Sequence, residues 1–404
     1  MPWKSETPMD QKLKFITGCL SNDFNMTELC KSHGISRKTG YKTLSRYEAE
    51  GIDGLKERSR AHHSHPHATD EAVKQILIEQ RIKTGWGPKK IRAVLSNKEE
   101  YSHIHFPAPS TIGEILDKAG LIKKRKRRRK KPLSVQKPSF ESQAPNDIWC
   151  ADFKGEFRMG DGQYCYPLTV TDHFSRYILE CLALPSTSIP PVFESFRRLF
   201  QEFGMPAMIL TDNGIPFASN GIAGVSRLSA WWMKLGIYPV TIQKGRPDQN
   251  GRHERMHRTL KESTALPPAD DMTEQQQWFD EFRPEFNELR PHEALNFDTP
   301  ASWHENSQRE YPEVEPEVEY PGYYEVRKVC SSGKIKLKNQ SIFIGSAFER
   351  EILGLYEWKD GIWSVCFGVF LLGRYDEREG RITGLQRPIL DPRREETQQE
   401  EEEK

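Results

Sequence analysis

Gly245-Arg246-Pro247-Asp248-Gln249-Asn250-Gly251-Arg252-His253-Glu254-Arg255-Met256-His257-Arg258-Thr259-Leu260-Lys261 decides how the middle of this 404-residue chain is read. Its first half is turn chemistry, with glycine, proline and short polar side chains that favour tight loops. Asn250 then stands as a cap, and the spacing predicts a helix over 251–264 with Glu254 in its first turns. His257 and Lys261 follow Glu254 by three and seven positions and are expected on its face.

Around this helix the texture alternates. Strands are expected over 148–154, 163–171, 175–184, 207–211 and 238–242, and helices over 192–203, 226–235, 251–264 and 274–289. Three strands in succession, then helix, strand, helix, strand and helices, predict a mixed five-stranded sheet with helices packed on it. That order fits a ribonuclease H-like α/β core over 146–305 within a multidomain α+β chain.

Two more stretches of this region place acids at strand ends. Trp149-Cys150-Ala151-Asp152-Phe153-Lys154 sets a carboxylate inside an apolar strand, and Leu210-Thr211-Asp212-Asn213-Gly214 ends another in a tight turn. Taken singly, each acid reads as a turn, cap or helix-dipole residue. Together they are different, because strand ends and helix starts meet at the open edge of such a sheet. Asp152, Asp212 and Glu254 gathered there would repel one another unless cations neutralised them. Mg²⁺ suits all-oxygen donors and phosphate partners, with Mn²⁺ as a substitute. Two such ions roughly 3.5–4 Å apart can serve an in-line phosphoryl transfer. Ligands that favour zinc are missing from the three motifs, apart from the neighbouring Cys150, His253 and His257. Asp172 reads as a structural turn acid beside the site, and Asp161 and Asp248 as loop acids.

The net charge of +1 hides an asymmetry: residues 1–140 carry 29 Lys and Arg against 15 Asp and Glu, and the remainder 30 against 43. The first third is therefore expected to hold a polyanion. Within 9–57, Thr27 is a candidate helix cap, Gly34 permits a left-handed turn and Ser36 caps the next helix. Leu29, Ile35 and Leu44 would face inward, while Arg37, Lys38 and Lys42 point outward. This is a helix-turn-helix whose basic second helix could enter a major groove, where the bland alternative is a three-helix bundle with a solvated face. Residues 68–122 predict a second such unit, with helices over 70–83, 88–97 and 110–119, the last capped by Ser110 and stopped by Gly120. His62, His63, His65 and His67 between the units read as a flexible joint rather than a metal site. Lys123-Lys124-Arg125-Lys126-Arg127-Arg128-Arg129-Lys130-Lys131 opens a basic linker over 123–145, expected to order on DNA phosphates; a solvated tether or a nuclear localisation signal is the plainer alternative.

Beyond a Pro/Glu-rich link, short strands over 323–329, 333–337, 340–344, 351–357, 363–366 and 369–372 predict a small β-barrel within 320–375, and 391–404 reads as an acidic disordered tail. Seven scattered cysteines, none in a Cys-x-x-Cys pair, argue against a disulfide framework and a zinc ribbon. No apolar run approaches the roughly 20 residues of a membrane span.

The three acid motifs carry a resemblance. Asp152 in its Trp-x-x-Asp-Phe strand, Thr211-Asp212-Asn213-Gly214, and Gly251-Arg252-x-Glu254-Arg255 followed by Lys261 resemble the signature motifs of the retroviral-integrase superfamily, and in particular of bacterial insertion-sequence transposases. Asn287-Glu288-x-Arg290-Pro291-His292-x-Ala294-Leu295 looks like the segment that closes these cores. The resemblance implies a transposase with Asp152, Asp212 and Glu254 as catalytic metal ligands, Lys261 on a DNA phosphate, and Asn213 and His257 in support. It implies duplex DNA as partner, both terminal inverted repeats and target, and an assembly of at least two protomers on it. No membrane is involved, and the setting would be the bacterial cytoplasm and nucleoid. Two alternatives are a regulator with an inactive core and a nuclease acting on RNA in a hybrid. One departure stands out: 41 residues separate Asp212 from Glu254, more than the superfamily's usual spacing. The excess is expected between Gly214 and Gly236, where Phe217-Ala218-Ser219-Asn220-Gly221 reads as a loop. The superfamily's zinc-binding His/Cys module is not evident, and helix-turn-helix units stand in its place.

Overall fold

The computed structural model describes residues 7–21, 24–58, 68–122, 140–243 and 245–392. The basic run 123–131, the four-histidine joint and the tail from 393 lie outside the described residues. Two compact units emerge, Met1–Asp70 and Glu71–Lys404.

In the first unit, helices α1 (Pro8–Leu20), α2 (Met26–Ser32) and α3 (Arg37–Glu50) pack on Phe15, Ile16, Leu29, Cys30 and Leu55. Thr7 and Asp10 cap α1 reciprocally. Asn25, not Thr27, caps α2, because its side chain accepts the Thr27 N–H at 3.1 Å while Thr27 already lies inside the helix. Gly34 supplies the left-handed turn (φ +65°) and Ser36 caps α3 through the Thr39 N–H. Ile35 and Leu44 are half-buried against this core, and Arg37, Lys38 and Lys42 are exposed. Gly40 lets α3 approach closely: a Cβ there would stand 2.4 Å from the Cys30 Sγ.

The second unit opens with α4 (Glu71–Thr84), α5 (Pro88–Asn97) and α6 (Pro109–Lys118) around Leu77, Trp86, Ile91, Leu95, Phe106, Ile112 and Leu116. Ser110 is not the cap of α6. Pro109 takes the first helical position, where its missing N–H costs nothing, and Ala108 precedes it.

The sheet that follows contains β1 (Ile148–Phe153), β2 (Phe157–Arg158), β3 (Tyr164–Asp172), β4 (Ile178–Leu184), β5 (Met208–Thr211) and β6 (Tyr238–Thr241). Its five main strands run β4-β3-β1-β5-β6, antiparallel on the β3 side and parallel on the β5 side, with the short β2 added on β3. This is the mixed ribonuclease H-like sheet that the element order predicts. Alternation along β1 sorts its side chains. Trp149 and Ala151 enter the core beneath α7 (Ile189–Phe203) and α8 (Arg227–Lys234), while Cys150, and with it Asp152, belongs to the other face. There α9 (Gly251–Thr264) and α10 (Met272–Pro284) bury Met256, Leu260, Phe279 and Phe282 against β3 and β4.

The C-terminal strands are β7 (Glu325–Lys328), β8 (Lys334–Leu337), β9 (Gln340–Phe343), β10 (Ile352–Lys359), β11 (Ile362–Phe367), β12 (Phe370–Asp376) and β13 (Arg381–Leu390). The expected barrel does not close. Five strands form an open sheet, β13-β12-β11-β10-β7, and β8-β9 form a separate hairpin. A sheet must bury its apolar face, and this one does so partly against the preceding α/β layer. Ile222, Ala223 and Val225, from the long stretch between Asp212 and Glu254, share one core with Leu353, Leu355, Val365, Phe370 and Leu372. Gly373 and Gly384, paired across β12 and β13, leave room for Ile222.

Candidate active site

Parallel pairing of β1 with β5 sets Ala151 opposite Thr211, so Asp152 and Asp212 leave adjacent strands at the same edge. Glu254 arrives from the first turn of α9 and is exposed. Asp212 and Glu254 both lie within electrostatic reach of Asp152. The Asp152 carboxyl is pushed up to about 7, first by burial, then by the charge of Asp212 and, more weakly, that of Glu254. Asp212 accepts the Gly214 N–H at 3.0 Å, which fixes the tight turn after β5. The exposed Asn213 donates its amide to the Ile242 carbonyl at 2.7 Å and ties the end of β5 to the end of β6. Asn250 stands 3.5 Å from an Asp152 oxygen, and its own Oδ1 is buried without a hydrogen-bond partner among the described residues.

Behind Asp152 lies a hydrogen-bonded lock that the sequence reading missed. Thr169, opposite Asp152 in the β1–β3 register, is fully buried. Its hydroxyl donates to the Asp152 carbonyl at 3.1 Å and stands 2.7 Å from His253 Nε2 and 2.6 Å from His257 Nε2. A hydroxyl has one proton, and here it goes to the carbonyl, so both Nε2 atoms must be the donors. His253 Nδ1 is then an acceptor and takes the Thr171 hydroxyl at 2.7 Å. His257 Nδ1 faces Asp152 Oδ2 at 3.9 Å. Burial favours neutral rings and pushes His253 down to about 3 and His257 to about 2.

His257 is thus not on the exposed face of Glu254, where the sequence reading expected it. Three residues turn a helix through about 300°, which leaves a 60° offset, enough to swing the ring into the wall of β3. Seven residues leave only about 20°, and Lys261 is indeed exposed as Glu254 is. One ligand atom each from Asp152, His253 and His257 lies within 4.8 Å of the others. With both ring nitrogens of His253 occupied by threonines, this group works as a brace for Asp152 rather than as a three-ligand metal cage. Asp172 accepts the N–H and hydroxyl of Ser175 and the Asn146 N–H, as a structural turn acid does. Among the described residues no helix is long and apolar enough to cross a membrane.

Comparison with known proteins gives consistent matches. Residues 142–247 match the family described as Integrase core domain, and residues 235–300 match a second family of the same description. Residues 11–62 match a helix-turn-helix domain and residues 39–116 a homeodomain-like domain. An uncharacterised 39.2 kDa protein of insertion element IS476 from Xanthomonas euvesicatoria is 24% identical over 68% of this chain and 77% of its own length. A 31.7 kDa protein of insertion element IS407 from Burkholderia multivorans is 23% identical over 64% of this chain and 90% of its own length. Among solved structures, the HTLV-2 integrase catalytic core domain in complex with magnesium matches 41% of this chain and 99% of that chain, at 17% identity and a TM-score of 0.32.

Proposed function

We propose, from the premise that this chain is an integrase-core protein with helix-turn-helix domains and insertion-element relatives, that it is a DNA transposase acting on the ends of its own element. The observation that carries the reading is that Asp152 and Asp212 leave adjacent parallel strands at one edge, with Glu254 near enough that its charge adds to burial and to Asp212 in raising the Asp152 carboxyl.

The donor set fits Mg²⁺. The three side chains offer oxygens alone, their mutual repulsion is what a divalent cation would relieve, and the orphaned Asn250 Oδ1 beside Asp152 adds an acceptor for water. When bound there, Mg²⁺, as one or two ions with Mn²⁺ as a substitute, would supply Lewis-acid stabilisation of a phosphodiester under attack. The protein's residues do the rest. Asp152, Asp212 and Glu254 hold the cation, and the Thr169–His253–His257 lock fixes the strand that carries Asp152. Asn213 braces the strand end that carries Asp212. Lys261, on the Glu254 face, takes a DNA phosphate. Arg37, Lys38 and Lys42 enter a major groove at the element's terminal repeats, and the basic run 123–131 grips the backbone.

Two reactions follow in one site. Water attacks a phosphodiester at the element end and expels a 3′-hydroxyl, which then attacks a target phosphodiester and expels a 3′-hydroxyl of the target. Joining two ends calls for at least two protomers, working on nucleoid DNA in the cytoplasm. Asp152→Asn tests the assignment. The variant is expected to fold and bind end oligonucleotides while losing Mg²⁺-dependent nicking and joining; retained joining would overturn the reading.

A further inference from the structure

Apart from the carboxylates, the second helical unit and the catalytic layer share a group of cations to which the chemistry above gives no task. Lys90 comes from α5, Arg176 from the turn after β3, Arg252 and Arg255 from the start of α9, and Arg290 from the segment after α10. His292 lies within electrostatic reach of Lys90, Arg290 and Arg176, and Arg176 within reach of Arg252 and Arg255. Lys90 and Arg290 also act on one another, so the charges are linked pair by pair from α5 to the start of α9.

Acidic groups near the patch are already committed or stand off from it. Asp172 is held by Ser175 and Asn146, Glu293 pairs with Lys89 while its charge also reaches Lys90 and Arg255, and Glu285 and Glu262 act on Arg290 without an ion pair to it. Among the described residues, none of the five cations has an ion pair with a carboxylate. Arg252 donates instead to His173, at 3.2 Å to its carbonyl, and the Arg176 Nε and His292 Nε2 are buried without hydrogen-bond partners. Lys90 and Arg176 are partly buried, and desolvation pushes them down to about 8 and about 10. Like charges drawn half out of water repel one another and destabilise the fold unless an anion joins them.

We propose that Lys90, Arg176, Arg252, Arg255 and Arg290 form a phosphate site that clamps one backbone phosphate of bound DNA between the second helical unit and the start of α9. Guanidinium forks match phosphate oxygens in pairs, and Glu254 sits between Arg252 and Arg255 in sequence, so the clamp would register the duplex against the carboxylates. That the phosphate belongs to DNA rests on the transposase reading; the anion site does not.

The test uses the full chain and a duplex oligonucleotide of arbitrary sequence, with affinity measured between about 50 and 200 mM salt. Lys90→Gln with Arg290→Gln is expected to weaken low-salt binding about tenfold. It should also lower the log–log salt slope by about 0.9, one phosphate's worth. Lys90→Arg should restore part of both. Without DNA, the double variant is expected to melt no lower than the parent, since repulsion is relieved, and inorganic phosphate at constant ionic strength should raise the melting temperature of the parent alone. An unchanged slope, or a double variant that melts lower without DNA, would overturn the proposal. Asp152→Asn should keep the full salt slope, so failure of the catalytic assignment and failure of the phosphate site register in different measurements.

Discussion

Replacing Thr169 with valine takes one oxygen out of the wall between β3 and α9 and changes little else in volume. That oxygen accepts from two imidazole N–H groups, at 2.7 and 2.6 Å, in rings that are 2% and 6% exposed. A buried donor left without a partner costs about 1–3 kcal/mol, so the two together cost about 2–6 kcal/mol. His257 can recover part of this by moving its proton to Nδ1, which faces Asp152 Oδ2 at 3.9 Å; His253 cannot, because Thr171 holds its Nδ1. A net loss of about 3 kcal/mol is expected. Thr169→Ser keeps the hydroxyl and removes one methyl, for about 1 kcal/mol. Melting of the full chain in chelator resolves the two, since 1 kcal/mol moves the midpoint of a domain of about 150–250 residues by roughly 2–4 °C. The valine variant should fall well below the serine variant, and nitrogen NMR should show His257 protonated at Nε2 in the parent and at Nδ1 in the valine variant. Equal melting of the two variants would refute the lock.

Two further outcomes concern other parts of the molecule. Gly40→Ala forces a Cβ to 2.4 Å from the Cys30 Sγ and 3.0 Å from the Phe15 ring, which should outweigh a helix-propensity gain of about 1 kcal/mol. Amide exchange in the full chain should accelerate across α1–α3 and stay unchanged in the sheet, and uniform protection would contradict the close approach. Lys90, lowered to about 8 from an ordinary 10.5, gives a pH signature. Below pH 8 both folded and unfolded chains carry its charge and the destabilisation is complete; between pH 8 and 10.5 only the unfolded chain holds the proton, so stability from this group rises with pH. Lys90→Gln should therefore be more stable than the parent near neutrality, with the difference closing through that window; a constant difference would remove Lys90 from the buried patch.

What the sequence discloses here is what local chemistry controls. Gly34 and Ser36 announce the turn of the helix-turn-helix because a left-handed residue and a cap are local needs. The strands of Asp152 and Asp212 and the helix of Glu254 are legible from apolar runs ended by turn residues. The Thr169 lock is not, since it depends on which side of α9 meets β3, and a three-residue step leaves that ambiguous. Pairing Thr169 and Thr171, one strand face, with His253 and His257, one helix turn, was the available signal. β13 also escapes, because only Pro388 of its ten residues is fully buried and its pattern is that of a solvated edge. The open C-terminal sheet could not be foreseen either, because its missing apolar cover comes from residues more than a hundred positions upstream.

That cover has a consequence for how such chains can be recombined. The stretch after Asp212 reaches the C-terminal sheet within ten residues, at Ile222, and seats where Gly373 and Gly384 leave space for it. Tyr238, on the edge strand β6, donates to the Pro388 carbonyl at 2.7 Å and holds β13 from the other side. Insert and sheet are therefore a matched pair, like a key and the lock it was cut for. A chimera that grafted a relative's C-terminal strands onto this core would inherit a mismatch ten residues away from Asp212. A chimera that exchanges the stretch after Asp212 together with the C-terminal strands keeps the pair matched and is expected to fold.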